Sequence, residues 1–153
     1  MDAVRRMTLP VTGPVRTAVV ALPAEPASVS VARHWAAGLL TRWGVSADDL
    51  DAAQLVISEL AANTVRYGHA EMTIRLLQQA NRLHLCVTDS GAPVTAHRPV
   101  IPQEVAERGR GLAIVEALTE TTEVTREPDG WRVGAVLRLA TAGKPAPPCA
   151  AVA

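Results

Sequence analysis

Glu59 and Asn63 stand four residues apart in a stretch whose apolar residues recur at helical spacing, so both project from one face of a helix. A carboxylate so placed can orient a water or hydroxyl, and an amide oxygen can coordinate a hard cation such as Mg²⁺. Asp89 closes an apolar strand and is followed by Ser90-Gly91. An acidic group at a strand mouth can accept a hydrogen bond from an exocyclic amine, and Gly91 lets a flat ring approach the backbone. Gly109-Arg110-Gly111 precedes a helical run, an arrangement in which backbone amides and the helix N-terminus cradle phosphate. Each pattern taken alone also has an ordinary structural explanation: a solvated helix face, an Asp-x-Gly turn, a hinge before a helix.

Other chemistries lack their residues. Lys144 has no GxxxxGK[ST] run before it, and the GRGLAI run lacks a third glycine and does not follow a strand. His34, His69, His84 and His97 are not spaced with cysteines or carboxylates as zinc ligands are. There is no nucleophile elbow. His34 offers a conceivable phosphoacceptor, but a partly exposed structural histidine explains it as well.

The elements that must position these groups follow from pattern and punctuation. Residues 1–14 read as a flexible leader and 15–22 as a strand. After the turn Leu22-Pro-Ala-Glu-Pro26, Ser28 is the expected cap of an Ala-rich helix ending near Trp43-Gly44. Ser46 caps a second helix over roughly 47–66, with Asp48, Asp49 and Asp51 near its positive end. Two strands, Met72–Gln79 and Leu83–Asp89, form a hairpin through Ala80-Asn81-Arg82. A long loop to Arg108 precedes a third helix, Leu112–Leu118, opened by the glycines. Strands near 121–127 and 132–139 close the domain around the turn Glu127-Pro-Asp-Gly130, and residues 140–153 form a disordered Ala/Pro tail. This order predicts an α+β fold, a two-layer sandwich with helices on one face of a mostly antiparallel sheet over residues 15–139.

Composition bounds the partners. The 153 residues fit one domain, and with 48% hydrophobic residues the chain has ample material for a core. Fifteen Lys+Arg balance fifteen Asp+Glu, which argues against a DNA-coating surface or a polybasic membrane anchor. Three Trp, one Tyr and no Phe leave little for a base-stacking platform. Cys86 and Cys149 read as free thiols of a reducing compartment, and no apolar run approaches the roughly 18–20 residues of a membrane span. A soluble cytoplasmic domain is expected.

Taken in order, ExxxN on a helix, a strand ending in DxG, a loose loop and GxG opening another helix resemble the GHKL ATPases, which have the Bergerat ATP-binding fold. The resemblance extends to bacterial anti-sigma-factor serine/threonine kinases of the RsbW/SpoIIAB type. It covers about residues 15–139 and is carried by TRWGV, VISELAANTVRYGHA, LHLCVTDSGAP and ERGRGLAIVEAL. It implies that Glu59 is the catalytic base, that Asn63 is the Mg²⁺ ligand bridging to the phosphates, and that Asp89 binds the adenine amine with Gly91 beside the ring. It also implies that Gly109, Arg110, Gly111 and Leu112 hold the ATP triphosphate under a lid over about 92–108. Arg33 matches the region that touches the sigma factor and the anti-anti-sigma (STAS-type) protein, and a homodimer through the first strand and helix is implied too. Two departures stand out. The family's DxGxG is Asp89-Ser-Gly-Ala-Pro93 here, and Gly134-Ala-Val-Leu stands where the family often has a Thr near adenine.

Three functions compete on this reading. A partner-switching kinase sequesters a sigma factor and phosphorylates its antagonist. A catalytically silent ATP-binding module only sequesters, as the two departures favour. The catalytic domain of a histidine kinase is disfavoured because no helical hairpin with an acceptor His precedes the domain in this sequence.

Overall fold

The computed structural model describes residues 13–67, 69–93, 109–128 and 130–140. In chain order they form β1 (Val15–Pro23), α1 (Pro26–Arg42), α2 (Ala47–Tyr67), β2 (His69–Gln79), β3 (Arg82–Pro93), α3 (Gly109–Leu118), β4 (Thr121–Glu127) and β5 (Gly130–Arg138). The strands make one five-stranded sheet in the order β1-β2-β3-β5-β4, and every neighbouring pair is antiparallel. The fold is α+β, as expected. The expected leader, most of the lid and the tail fall largely on residues 1–12, 94–108 and 141–153, which lie outside the described residues, as does Cys149.

Period-two alternation decides which face of the sheet is buried. Met72, Ile74 and Leu76 of β2 and Leu83, Leu85 and Val87 of β3 are fully buried beneath the helices. Arg75, Cys86 and Gly134 share a row on the opposite face. On α2 the inward stripe is Ala53, Val56, Ile57, Leu60 and Ala61. On α1 it is Ala32, Ala36 and Leu40, so small residues four apart let the two helices pack closely. Val115 anchors α3 in the same core.

The helix ends confirm part of the expected punctuation. Ser46 Oγ accepts from the Asp49 N–H at 3.3 Å and donates to Asp49 Oδ2 at 2.9 Å, capping α2. Asp49 Oδ2 also accepts from the Ala140 N–H at 2.9 Å, tying the end of the last strand to the same helix. At the far end of α1, Gly44 has φ 79, and the Val45 N–H donates to the Leu40 carbonyl at 3.1 Å, a Schellman closure. Ser28 is not the cap of α1. It lies buried within the helix, while Glu25 holds the cap position and makes no side-chain cap bond. Pro26 explains the earlier start, because its ring presets a helical φ and it has no N–H to satisfy. The β2–β3 turn is also one residue shorter than expected. Gln79 pairs with Arg82, and Ala80 adopts φ 51 to close the link.

Near Asp89 the β2–β3 ladder becomes irregular and the β3–β5 pairing stops, and one side chain bridges the strands there. The register pairs Met72 with Asp89 and is then interrupted by an irregularity between His69 and Glu71. The β3–β5 pairing ends at Thr88 with Arg132. Asp89 Oδ2 accepts the His69 N–H at 2.8 Å, and Oδ1 accepts the Trp131 N–H, so this one carboxylate joins the starts of β2 and β5 across β3. A Cβ at Gly130 would stand 2.5 Å from Asp89 Oδ1 and 2.6 Å from the Asp89 carbonyl oxygen. Gly130→Ala therefore forces the β5 backbone away from Asp89, and urea unfolding is expected to register a loss of about 1–3 kcal/mol, the usual cost of overpacking.

Candidate functional site

Two clusters account for the candidate residues the structure describes, Arg33 excepted. In the first, α2 carries Glu59 and Asn63 on one partly buried face, one turn apart, while Val56, Ile57 and Leu60 hold the helix in the core. The start of α3 packs against this face. A Cβ on Gly111 would meet Glu59 Oε2 at 2.7 Å, Glu59 Cδ at 3.7 Å and Asn63 Oδ1 at 3.8 Å. The carboxylate and the amide oxygen thus lie directly against the first turn of α3, an approach that a side chain at residue 111 would obstruct. Gly109 and Arg110 are placed by their helical backbone in that same first turn, and Leu112 is partly buried just after it.

Free N–H groups at a helix start and the helix dipole suit the phosphates of a nucleotide. The donor set also suits Mg²⁺. Among the described residues no three His, Cys, Asp or Glu side chains gather as a metal cage, and Mg²⁺ is commonly bound by one or two protein oxygens, with substrate phosphates and waters completing its shell. The Asn63 oxygen beside a helix start fits that pattern. When bound, the ion would neutralise phosphate charge.

The second cluster surrounds Asp89. Its side chain is only 2% exposed, and Oδ2 accepts a second bond, from His69 Nδ1 at 2.8 Å, beyond the two backbone donors. An ionised carboxylate only accepts, so Nδ1 carries the proton of this bond. Gly91 lies two residues on, exposed and at φ 87, a backbone geometry that favours glycine. It falls within β3, which continues past Asp89 to Pro93. Ala135 is buried in the core and pairs with Leu85.

Arg33 stands apart from both clusters, exposed on α1. Sequence reasoning missed His69, Gly130 and Trp131. His69 is 20 residues from Asp89 and Trp131 is 42, so no local spacing joins them. The hairpin register was the available signal, since a two-residue turn at Ala80-Asn81 sets Met72 opposite Asp89 and brings the start of β2 alongside.

Residues 22–139 match the histidine kinase-like ATPase domain. The serine-protein kinase RsbW of Bacillus velezensis is 27% identical over 120 residues, covering 67% of this chain and 74% of that protein. RsbW of Listeria monocytogenes is 27% identical over 118 residues, covering 67% and 75%. A crystal structure of the RsbU and RsbW domains of a Mycobacterium tuberculosis protein superposes with a TM-score of 0.60 at 18% identity over 81% of this chain. This chain spans only 32% of that larger one, so the likeness concerns the fold. No helix among the described residues is long and apolar enough to cross a membrane. A matching domain over most of the chain and the shared fold lead to one assignment: the chain belongs to the histidine kinase-like ATPase family, within the GHKL group that includes the RsbW serine-protein kinases.

Proposed function

We propose that this protein is a cytoplasmic anti-sigma factor and serine/threonine kinase that uses Mg-ATP to phosphorylate an anti-anti-sigma protein of the STAS type. The observation that carries the reading is the close approach of Glu59 and Asn63 to the glycine-opened first turn of α3. In this assignment Asp89 accepts the adenine amine and Gly91 borders the ring. The backbone of Gly109, Arg110, Gly111 and Leu112 holds the triphosphate, and Asn63 holds Mg²⁺ against it. Glu59 orients the acceptor hydroxyl and takes its proton. The hydroxyl oxygen bonds to the γ-phosphorus, the bond to the β-phosphate bridging oxygen breaks, and ADP leaves. The phosphate adds about −1.5 to −2 charges to the antagonist, enough to weaken its hold on a shared surface by repulsion. That surface is assigned to α1 around Arg33, whose guanidinium suits partner carboxylates. Dimerisation through β1 and α1 completes the scheme, with no nucleic acid and no membrane among the partners.

A second reading, an ATP-binding module that sequesters its partner without chemistry, is favoured by the sequence departures at Ala92 and Ala135.

Three variants test these assignments. Glu59→Gln keeps size and hydrogen-bonding reach but removes the base, so phosphotransfer to a purified STAS antagonist should fall by about 10²–10⁴ while ATP binding persists. Full activity in this variant refutes the role of Glu59, and equal inactivity of wild type and variant, with ATP bound by both, identifies the silent module. Gly111→Ala presses a methyl against the flexible end of Glu59. It should cost little stability, as judged by thermal melting, yet displace the base and slow transfer measurably in the same assay. Arg33→Ala should weaken capture of a sigma factor or antagonist by about 1 kcal/mol or more, as read by titration calorimetry, with ATP affinity unaltered. Loss of ATP binding with partner binding intact would invert that assignment.

A further inference from the structure

We infer that the His69 imidazole is a built-in competitor for the purine amine, occupying the carboxylate of Asp89 until a 6-aminopurine nucleotide displaces it. The inference rests on the proposed role of Asp89 as purine acceptor. A carboxylate offers about four acceptor positions, two on each oxygen. Oδ2 is filled by the His69 N–H and His69 Nδ1, both at 2.8 Å, and Oδ1 accepts from the Trp131 N–H beside Gly130. With the Asp89 side chain 2% exposed, an incoming amine finds no open approach while these partners stay in place.

The three donors are not equivalent. Two are backbone N–H groups at the starts of β2 and β5, and releasing either undoes the end of a strand. The third sits on a side chain that is 24% exposed and can leave by rotation about its own bonds. Its departure frees one acceptor position on Oδ2 while the other two bonds keep the carboxylate aimed. The amine N–H then replaces the imidazole N–H, one bond for one bond. His69 is therefore an affinity-determining residue, and the affinity for ATP is lower than the Asp89 site alone would give. The same ring keeps the buried charge satisfied in the nucleotide-free protein, where a missing partner carries the full desolvation cost.

The test compares full-length wild type with His69→Ala, His69→Asn and Asp89→Asn, each checked for folding by circular dichroism. Mg-ATP affinity is measured by calorimetry. His69→Ala keeps the backbone donor and removes the competitor, so Kd should fall about 2- to 10-fold, the range given by one net hydrogen bond. His69→Asn keeps a side-chain N–H within reach of Oδ2 and should stay near wild type. The His69 imidazole NMR signals should move on addition of Mg-ATP and stay in place with inorganic triphosphate, which has no purine. Weaker or unchanged ATP binding by His69→Ala, while Asp89→Asn loses ATP, overturns the competitor and leaves the purine reading intact. Equal ATP binding by Asp89→Asn and wild type, or no ATP binding by any of the proteins, overturns the purine reading and the competitor with it.

Discussion

A carboxylate removed from water must be given donors, because an unpaired buried charge costs more than a small domain can spare. Asp89 is that carboxylate, and much of the strand geometry around it follows from satisfying it. Its oxygens take the N–H of His69, beside the β2–β3 irregularity, and the N–H of Trp131, one residue beyond the last β3–β5 pair. Its closeness to β5 also requires glycine at position 130, since any Cβ would collide with the side chain and the carbonyl of the same residue. The strand irregularity between His69 and Glu71, the bare backbone at Gly130 and the burial of the charge are one local solution.

The other cluster is built by a different division of labour. α2 must bury Ala53, Val56, Ile57, Leu60 and Ala61 to hold the sheet, and the 3.6-residue period turns Glu59 and Asn63 toward α3. Their backbone positions are inherited from that packing. The capping of α2 by Ser46 and the tie from Asp49 to Ala140 fix the far end of the same rod. Small residues in the α1–α2 seam and at Gly111 do the complementary work of letting elements approach.

What the sequence made legible was what is local. Alternation located the strands, helical spacing placed Glu59 beside Asn63, and Ser46 and Gly44 marked helix ends that the structure retains. Ser28 misled because a good capping residue stood two positions after a proline, and the proline decides where a helix starts when no side-chain cap is made. Arg82 was assigned to the turn because a tight link led by Ala80 at φ 51 is not what alanine signals. The partners of Asp89 were illegible for a stronger reason. His69 and Trp131 reach it only through the register of two different strand pairs, so a one-residue error in either turn would remove them.

The two clusters differ in how the bound and free states are balanced. Around Glu59 and Asn63 the two side chains approach the first turn of α3 closely because Gly111 contributes no side-chain atoms, and no side-chain donor among the described residues is bound to them. Around Asp89 the acceptor is already engaged, and any ligand group that reaches it must exchange with a donor of the protein. Exchange of one hydrogen bond for another contributes little net affinity but is selective, because a group that brings an acceptor in place of a donor faces the carboxylate with nothing to offer it. Under the proposed assignment, affinity then belongs mainly to the phosphate end and discrimination to the base end. A nucleotide with a carbonyl where adenine has its amine would keep the first and lose the second. On that assignment the separation follows from the buried carboxylate: because Asp89 is satisfied without a ligand, its recognition of one would be selective.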